Sequence, residues 1–274
     1  MLIITADDWG MTAKATNSIL ACFRLGRVTS CSGMVYMADS TRSAQKALEN
    51  GLDVGLHLNL IAPFTSTETS STLIHSHERV RRFLGKSRYH TVFYHPGLRK
   101  HFDYLFRKQY DEFLRLYGKE PSHIDGHRHL HLCMNVILDN ILPMGTTIRR
   151  NHTFNVGEKD AVTRLYRRIV DRRLAARYRI TDYFFDVWPF ESIGRIREIV
   201  KLSGNYTVEL MAHPERPAQF RFITGPEFCD LMQDAPRGSF ADFSRSIKMT
   251  ATESESLSEE SACKGQNHPQ IIRN

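Results

Sequence analysis

A histidine-rich stretch holds the residues whose types and spacing most strongly suggest metal chemistry. The chain has 13 histidines, and four of them fall within ten positions, with an aspartate among them: His123, Asp125, His127, His129 and His131. If this segment is extended, the last three imidazoles project to one side, because strand side chains alternate with a period of two. Buried imidazoles need partners for both ring nitrogens. The stretch favours a divalent metal site; a polar loop or a histidine-lined edge strand is the alternative.

Two adjacent carboxylates, Asp7 and Asp8, follow a short apolar run at the start of the chain. Adjacent side chains of an extended or turning segment diverge, so the pair suits two tasks at one site. One carboxylate could bind a metal while the other accepts a proton from water. The alternative is an Asx-turn that leads into a helix capped by Thr12.

Two further histidines follow or occupy apolar segments. His57 lies between two leucines, and an alternating strand would turn His57 and Asn59 together toward the mouth of a barrel. His213 comes directly after an apolar run and is followed by a proline. The alternatives are a hydrogen-bonded core histidine for His57 and an ordinary loop histidine for His213.

An aspartate and two histidines with one open coordination position make a catalytic metal arrangement, because structural zinc sites fill all four positions with protein ligands. Mixed oxygen and nitrogen ligands suit Zn, Co, Mn, Ni or Mg. Such a metal lowers the pKa of bound water toward about 7 and polarises a carbonyl oxygen. A carboxylate base and an imidazole acid would complete the hydrolysis of an amide or an ester.

Strands and helices alternate along the chain and must position these side chains. Strands are predicted at Leu2–Thr5, Val28–Met37, Asp53–Leu60, the histidine stretch, Thr146–Arg150, Thr181–Val187 and Tyr206–Met211. Helices are predicted at Thr12–Leu25, Ser40–Glu49, Leu98–Tyr117, Asn135–Leu142, Asp160–Arg179, Ser192–Leu202 and Pro226–Gln233. The segment Ile61–Gly97, rich in Thr, Ser and His, is predicted to be a large irregular insertion near the site.

This alternation predicts an α/β fold with about seven parallel strands. The polar motifs follow the apolar parts of strands spread over the whole chain, which favours a (β/α) barrel-like architecture over an open sheet. The chain contains no Gly-x-Gly-x-x-Gly and no phosphate-loop motif, which weakens a nucleotide-dependent interpretation.

Length and composition are those of a globular protein. The 274 residues, with 41% hydrophobic and 24% charged residues, predict a single domain over 1–247 and a disordered, Ser- and Glu-rich tail over 248–274. We expect no membrane span and no secretory signal, because no long apolar run is present. Five dispersed cysteines without a Cys-x-x-Cys pair suggest reduced thiols and a cytoplasmic location.

The net charge of +7 raises the question of an anionic partner. Basic residues are dispersed as pairs, and two of the pairs, Arg167-Arg168 and Arg172-Arg173, lie in the predicted helix 160–179. A solvated helix face is the favoured interpretation, and a patch for anionic ligands or lipid head groups is the alternative. We expect no nucleic-acid partner.

Four motifs in order resemble those of the YdjC-like carbohydrate deacetylases, which include chitooligosaccharide and hopanoid-biosynthesis deacetylases. They are Thr-Ala-Asp-Asp-Trp-Gly at 5–10, Gly-Leu-His-Leu-Asn-Leu at 55–60, His-Ile-Asp-Gly-His-Arg-His-Leu-His at 123–131 and Glu-Leu-Met-Ala-His-Pro at 209–214. The resemblance covers roughly residues 1–235. It implies a barrel-like fold, one divalent metal ion (Mg or Zn), a homodimer and removal of an N-acetyl group from an amino sugar or glycolipid.

The resemblance also assigns roles to residues. It implies that Asp7 is the general base, that His213 is the general acid, and that the metal ligands are Asp8, His57 and His127. It places the remaining polar residues in the pocket wall or behind the ligands: Asn59, Asp125, His129 and His131. The region Ile61–Gly97 shows no clear match, so the resemblance leaves the sugar open.

Two other functions compete with deacetylation. The same Asp and His set could serve a metal-dependent phosphoesterase or another metallohydrolase on an anionic substrate, although a two-metal site needs more bridging carboxylates. A non-enzymatic protein that binds polyanions through its basic residues is the other competitor.

Overall fold

The computed structural model describes residues 1–154, 160–188 and 193–246, so the predicted tail 248–274 lies outside the described residues. One sheet of six strands organises this part of the chain. Its strands are β1 (Leu2–Trp9), β2 (Ser30–Gly33), β3 (Val54–Leu58), β4 (Ile124–Gly126), β5 (Tyr183–Asp186) and β6 (Val208–Ala212). All of them pair in parallel, in the order β4-β3-β2-β1-β6-β5. The predicted α/β class with a parallel sheet is confirmed.

The strand β1 lies in the middle of the sheet, and all eight of its residues are buried. It pairs with β6 along most of its length, from Leu2 beside Val208 to Ala6 beside Ala212. On the other side it pairs with β2, with Thr5 beside Ser30. A continuous apolar run is what a strand covered on both faces requires.

The seventh predicted strand, Thr146–Arg150, is not a regular strand. The Ile124 amide donates to the Thr147 carbonyl (2.8 Å), and the Arg149 amide donates to the Ile124 carbonyl (3.2 Å), but only isolated bridges form. Further along, the Thr153 amide donates to the Phe184 carbonyl (2.8 Å). We call residues 146–153 the closing segment, because they connect the edge strand β4 to the edge strand β5 and complete the barrel-like curve.

Nine helices surround the sheet in the described part of the chain. They are α1 (Ala13–Arg24), α2 (Ser40–Asn50), α3 (Ser71–Leu84), α4 (Arg99–Tyr117), α5 (Met134–Leu138), α6 (Ala161–Ala175), α7 (Ile193–Leu202), α8 (Pro217–Thr224) and α9 (Pro226–Leu231). Thr12 caps α1 as predicted, since its hydroxyl accepts from the Ala15 amide (3.2 Å). Asp160 caps α6 in the same way, with its carboxylate accepting from the Thr163 amide (2.8 Å).

The irregular insertion predicted over Ile61–Gly97 is wrong in its central part. This region contains α3 and two short 3-10 turns, Arg88–Thr91 and Pro96–Leu98. The helix packs against α4, burying Leu73, Val80 and Leu84, a helical spacing hidden among polar residues. The helix α8 was also not predicted. None of the described helices is long and apolar enough to cross a bilayer.

Candidate active site

The strand β1 ends in an irregularity that separates the two carboxylates. The pairing with β2 shifts register between Ala6 and Trp9, and Asp8 adopts a left-handed backbone with φ of 67°. Such backbone conformations are costly and concentrate at functional sites. As a result, Asp7 and Asp8 point to different partners although both are buried. This is the divergence that the sequence predicted.

The histidine stretch is not the extended segment that the alternation suggested. Its strand β4 stops at Gly126, and His127–Leu132 forms a tight 3-10 turn in which Arg128 and His129 have φ values of 56° and 58°. The turn packs closely on Gly126, where a Cβ would lie 2.8 Å from the His131 amide nitrogen. The three imidazoles therefore point in different directions, and the argument from a period of two was wrong.

Three side chains from distant parts of the chain converge on one point. His127 Nδ1 lies 2.9 Å from Asp8 Oδ1, and His57 Nε2 lies 3.4 Å from the same oxygen. The donor atoms of Asp8, His57 and His127 all lie within 4.8 Å of one another, which is close enough to bind a common metal ion. One carboxylate and two imidazoles match the donor set of a catalytic divalent metal, which binds three protein ligands and one water or substrate.

Asp125 holds His57 in the orientation that metal binding needs. His57 Nδ1 lies 2.7 Å from Asp125 Oδ1, and Ser32 donates to the other carboxylate oxygen (2.8 Å). If Nδ1 carries the proton, the Nε2 lone pair faces Asp8, as is usual for metal-binding histidines backed by a carboxylate. Burial opposes a charge on His57, but the carboxylates of Asp125 and Asp7 and the hydrogen bonds to Asp125 and Asp8 raise the pKa of His57 well above its ordinary value.

The network around Asp7 centres on Arg149, a residue that the sequence analysis did not select. Arg149 comes from the closing segment and is fully buried. Its Nη1 and Nη2 donate to the two oxygens of Asp7 at 2.7 and 2.8 Å. Nη1 also lies 2.5 Å from Asp125 Oδ2, and Nε donates to Glu209 at 2.8 Å. The sequence offered one weak signal, since Glu209 is a charged residue inside an apolar strand.

Charge in this network is closely balanced. Burial opposes the charge on Arg149, but Asp125, Asp7 and Glu209 together raise its pKa well above the ordinary value. Burial raises the pKa of Glu209 to about 7, against the opposing effect of Arg149. A second group of donor atoms, Asp7, His57 and Asp125, also lies within 4.8 Å. In that second group, the Arg149 guanidinium already binds the carboxylates of both Asp7 and Asp125.

His213 lies on the loop after β6, at the edge of the same cluster. Its Nε2 is 4.0 Å from Asp8 Oδ2. Its Nδ1 is buried and has no hydrogen-bond partner among the described residues. A hydrogen bond holds this loop against α8, because the His213 amide donates to Gln219 Oε1 (2.5 Å). The other ring nitrogen, Nε2, is the one that faces Asp8.

The remaining predicted pocket residues occupy different positions. His131 bonds through Nε2 to the Arg149 carbonyl (3.0 Å) and supports the closing segment. His129 lies beside His152, with 3.0 Å between their Nε2 atoms, and both rings contact Phe184. Asn59 uses its side chain within its own loop, accepting from the Ala62 amide and donating to the Ala62 carbonyl. Its polar atoms therefore serve the turn after β3.

Comparisons with known proteins agree with this arrangement. A family model described as YdjC-like protein matches residues 1–257. A carbohydrate deacetylase of Vibrio parahaemolyticus is 28% identical over 222 residues, which cover 78% of this chain and 77% of that protein. A carbohydrate deacetylase of Danio rerio is 30% identical over 138 residues, which cover 49% of this chain and only 43% of that protein. The match thus spans less than half the length of the vertebrate relative.

A solved structure shares the fold. The crystal structure of an Enterococcus faecalis V583 protein, described as a candidate cellobiose-phosphate cleavage protein, superposes with a TM-score of 0.60. The superposition covers 88% of this chain and 98% of that chain at 17% sequence identity. At this identity the likeness supports the barrel-like fold alone.

Proposed function

The chain belongs to the YdjC-like protein family, and from that premise we propose that it is a metal-dependent hydrolase that removes an N-acetyl group from an amino sugar or glycoconjugate. The names of several relatives, carbohydrate deacetylase and chitooligosaccharide deacetylase, support this reaction class. One observation carries the proposal: the Asp8, His57 and His127 donor group lies next to a carboxylate, Asp7, that does not belong to it.

We assign the metal to Asp8, His57 and His127. A metal bound there would polarise the acetyl carbonyl and lower the pKa of the attacking water. Two imidazole nitrogens and one carboxylate favour Zn, Co or Ni over Mg, which prefers an all-oxygen environment. We therefore propose zinc, rather than magnesium, as the resident ion.

Asp7 serves as the general base in this mechanism. The bidentate pair with Arg149 fixes both carboxylate oxygens, and each oxygen keeps a lone pair for another partner. Asp7 accepts a proton from the water while the hydroxide oxygen bonds to the acetyl carbon. The two hydrogen bonds from Arg149 also limit the motion of the Asp7 carboxylate.

His213 serves as the general acid. When the bond between carbon and nitrogen breaks, protonated His213 donates its proton to the departing amine. The immediate products are a free amino sugar and acetic acid, which gives up its proton as acetate. Asp7 then releases its proton and His213 takes one up, so that atoms and charge balance over the cycle. His213 supports this role by its position, since it lies nearest one oxygen of Asp8 whereas the imidazoles of His57 and His127 lie nearest the other.

The test is a paired measurement of acetate and free amine. We would incubate the protein with a panel of N-acetylated mono- and oligosaccharides and N-acetylglucosaminyl lipids, first metal-stripped and then resupplied with zinc. We expect equal amounts of acetate and amine, lost with chelator and restored by zinc. The variants His57→Ala and Asp8→Ala should be inactive, whereas Arg107→Gln, an exposed change on α4, should behave like the parent. Phosphomonoester hydrolysis without acetate release would contradict the proposal and support the phosphoesterase alternative.

A further inference from the structure

The outer face of α6 presents apolar side chains to solvent. Val162, Leu165 and Ile169 are 77%, 58% and 56% exposed. Their spacing of three and four residues aligns them along one side of the helix. The opposite side packs on the protein through Val170 and Leu174. Exposed apolar rows of this kind mark interaction surfaces more often than scattered single residues do.

A row of arginines runs beside the apolar row. Arg164, Arg168 and Arg172 follow one another at intervals of four, and all three are exposed. Like charges at this spacing repel and destabilise an isolated helix. Within the described ranges no carboxylate pairs with any of the three, and the nearby Asp171 is bonded to Arg150 and Asn151 instead. The three guanidinium groups are therefore available to bind an anionic partner.

The arginine row forms one rim of a groove of about 400 Å³. The opposite wall contains His152, from the closing segment, and Phe154, which directly follows it. The ring of His152 stacks on the ring of Phe184, with 4.4 Å between their centroids. The Arg149 guanidinium lies 5.0 Å from the centroid of the Phe184 ring. His152 and Phe184 thus connect the wall of the groove to the Arg149 guanidinium, which binds Asp7.

We propose that α6 docks this protein on an anionic lipid surface. The side chains of Val162, Leu165 and Ile169 enter the boundary between head groups and acyl chains. The three arginines bind lipid phosphates, with their aliphatic stems lying along the apolar row. An apolar row beside a basic row is the pattern of helices that lie in the membrane interface.

Two features favour lipid over other occupants. A soluble polyanion would bind the arginine row but leave the apolar row exposed to water. It would therefore explain only the basic part of this surface. A second copy whose α6 packed antiparallel on this face through a two-fold axis would bring two arginine rows together and meet strong repulsion. Docking also places the groove at the lipid surface. If the proposed deacetylation holds, the substrates best placed to reach the site are acetylated sugars carried on lipids.

The experiment is co-sedimentation of the full chain with vesicles, in the absence of any sugar. Vesicles of phosphatidylcholine alone are compared with vesicles of equal parts phosphatidylcholine and phosphatidylglycerol. We expect binding to the anionic vesicles that weakens with salt. The triple variant Arg164→Gln, Arg168→Gln, Arg172→Gln should bind about 100-fold more weakly, because each arginine near such a surface contributes roughly fivefold. The double variant Leu165→Ser, Ile169→Ser should lose binding about tenfold or more.

Matched controls carry the same changes elsewhere. Leu48 and Arg82 are exposed on α2 and α3, far along the chain from α6, and Leu48→Ser and Arg82→Gln should bind like the parent. The proposal is overturned if neutral and anionic vesicles bind equally, if the Leu165 and Ile169 changes have no effect, or if the α6 changes instead abolish a dimer. If the arginine variant binds vesicles more weakly but the Leu165 and Ile169 variant binds them like the parent, the basic surface would instead fit a soluble polyanion. Because no sugar is present, these results do not depend on whether the protein is a deacetylase.

Discussion

Asp7 and Asp8 are neighbours in the sequence and have separate partners in the structure. Asp8 faces the imidazoles of His57 and His127, whereas Asp7 is clamped by Arg149. The left-handed backbone at Asp8 is what allows two consecutive carboxylates to serve two purposes. This separation makes the proposed roles independently testable, because a change at Asp7 leaves all three proposed metal ligands in place.

The variant Asp7→Asn is expected to lose turnover and keep the metal. An amide cannot accept the proton from water, so kcat should fall by about 100-fold to 10,000-fold, the usual contribution of a general base. Metal content measured by atomic emission should stay at the parent level. Near-normal kcat in a metal-loaded variant would exclude Asp7 as the base.

Metal affinity is expected to rise with pH. Burial disfavours a charge on His57, but Asp125 and Asp7 raise its pKa well above the ordinary value, so at neutral pH the metal-free site holds a proton on His57. Metal binding must release this proton, and the affinity should therefore increase by up to about tenfold per pH unit below that pKa.

Calorimetry can count the released proton. Zinc binding would be measured at one pH in buffers of different ionisation enthalpy, whose slope gives the number of protons released. We expect zinc binding by the parent protein to release about one proton more than zinc binding by the His57→Ala variant. Equal proton release by both proteins would contradict the proposed protonation of His57.

The polar residues at the strand ends could be predicted from the sequence, but the buried arginine that binds the neighbouring carboxylates could not. Asp8, His57 and His127 were selected because each is a polar residue beside or within an apolar strand. Arg149 could not be selected in the same way, since it lies next to Arg150 and an arginine pair usually indicates a surface. Its burial depends on three carboxylates that only the assembled sheet brings together.

At the scale of the elements, the turn after β4 and the end of β1 determine the site. The alternation of His127, His129 and His131 wrongly predicted a strand, because the sequence pattern does not reveal the positive φ values at Arg128 and His129. The helix α3 was missed since its apolar positions are diluted by Thr, Ser and His. In contrast, the capped helix α1 and the amphipathic helix α4 were predicted to within a residue or two.

Close packing between β3 and the histidine stretch leads to a prediction for Gly55. A Cβ at this position would lie 2.3 Å from the His123 ring, which is stacked on Phe240 from the other side at 3.9 Å between centroids. The ring cannot withdraw, so Gly55→Ala should destabilise the fold by about 1–3 kcal/mol. Urea unfolding followed by circular dichroism measures the change.

Gly204→Ala is the matched control for that measurement. Its Cβ would make only ordinary van der Waals contact, 3.4 Å from the Lys201 carbonyl oxygen. We expect a change in unfolding free energy within about 0.5 kcal/mol. Equal stability of the Gly55 and Gly204 variants would show that the contact with His123 is not restrictive.

At the scale of the whole molecule, the closing segment joins the two edges of the sheet and carries Arg149 into its centre. This residue links β1, β4 and β6 through Asp7, Asp125 and Glu209. The α/β class and the parallel sheet followed from the alternation of elements. The barrel-like closure was predicted from polar motifs spread over the whole chain, but with a regular strand at Thr146–Arg150, whereas the closing segment makes only isolated bridges. The homodimer and the tail over 248–274 remain predictions.

The variant Arg149→Met is expected to be strongly destabilised. Removing one partner of a buried ion cluster leaves uncompensated carboxylates, which costs about 3–5 kcal/mol. Burial already raises the pKa of Glu209 to about 7, so its charge is lost as the pH falls. The destabilisation should therefore be smaller at about pH 5 than at about pH 8. Urea unfolding at the two pH values measures this difference, and Arg107→Met is the exposed control. An equal loss of unfolding free energy at both pH values would contradict the assigned role of Glu209.

The most direct test of the central claim is a titration of the metal-stripped protein with zinc while acetate release from an N-acetylated sugar substrate is measured. We expect activity to rise in proportion to bound zinc and to reach its plateau at one ion per chain. Magnesium should restore much less activity than zinc, because two of the three proposed donors are imidazoles. A plateau at two ions per chain, or acetate release that persists without metal, would contradict a single metal held by Asp8, His57 and His127.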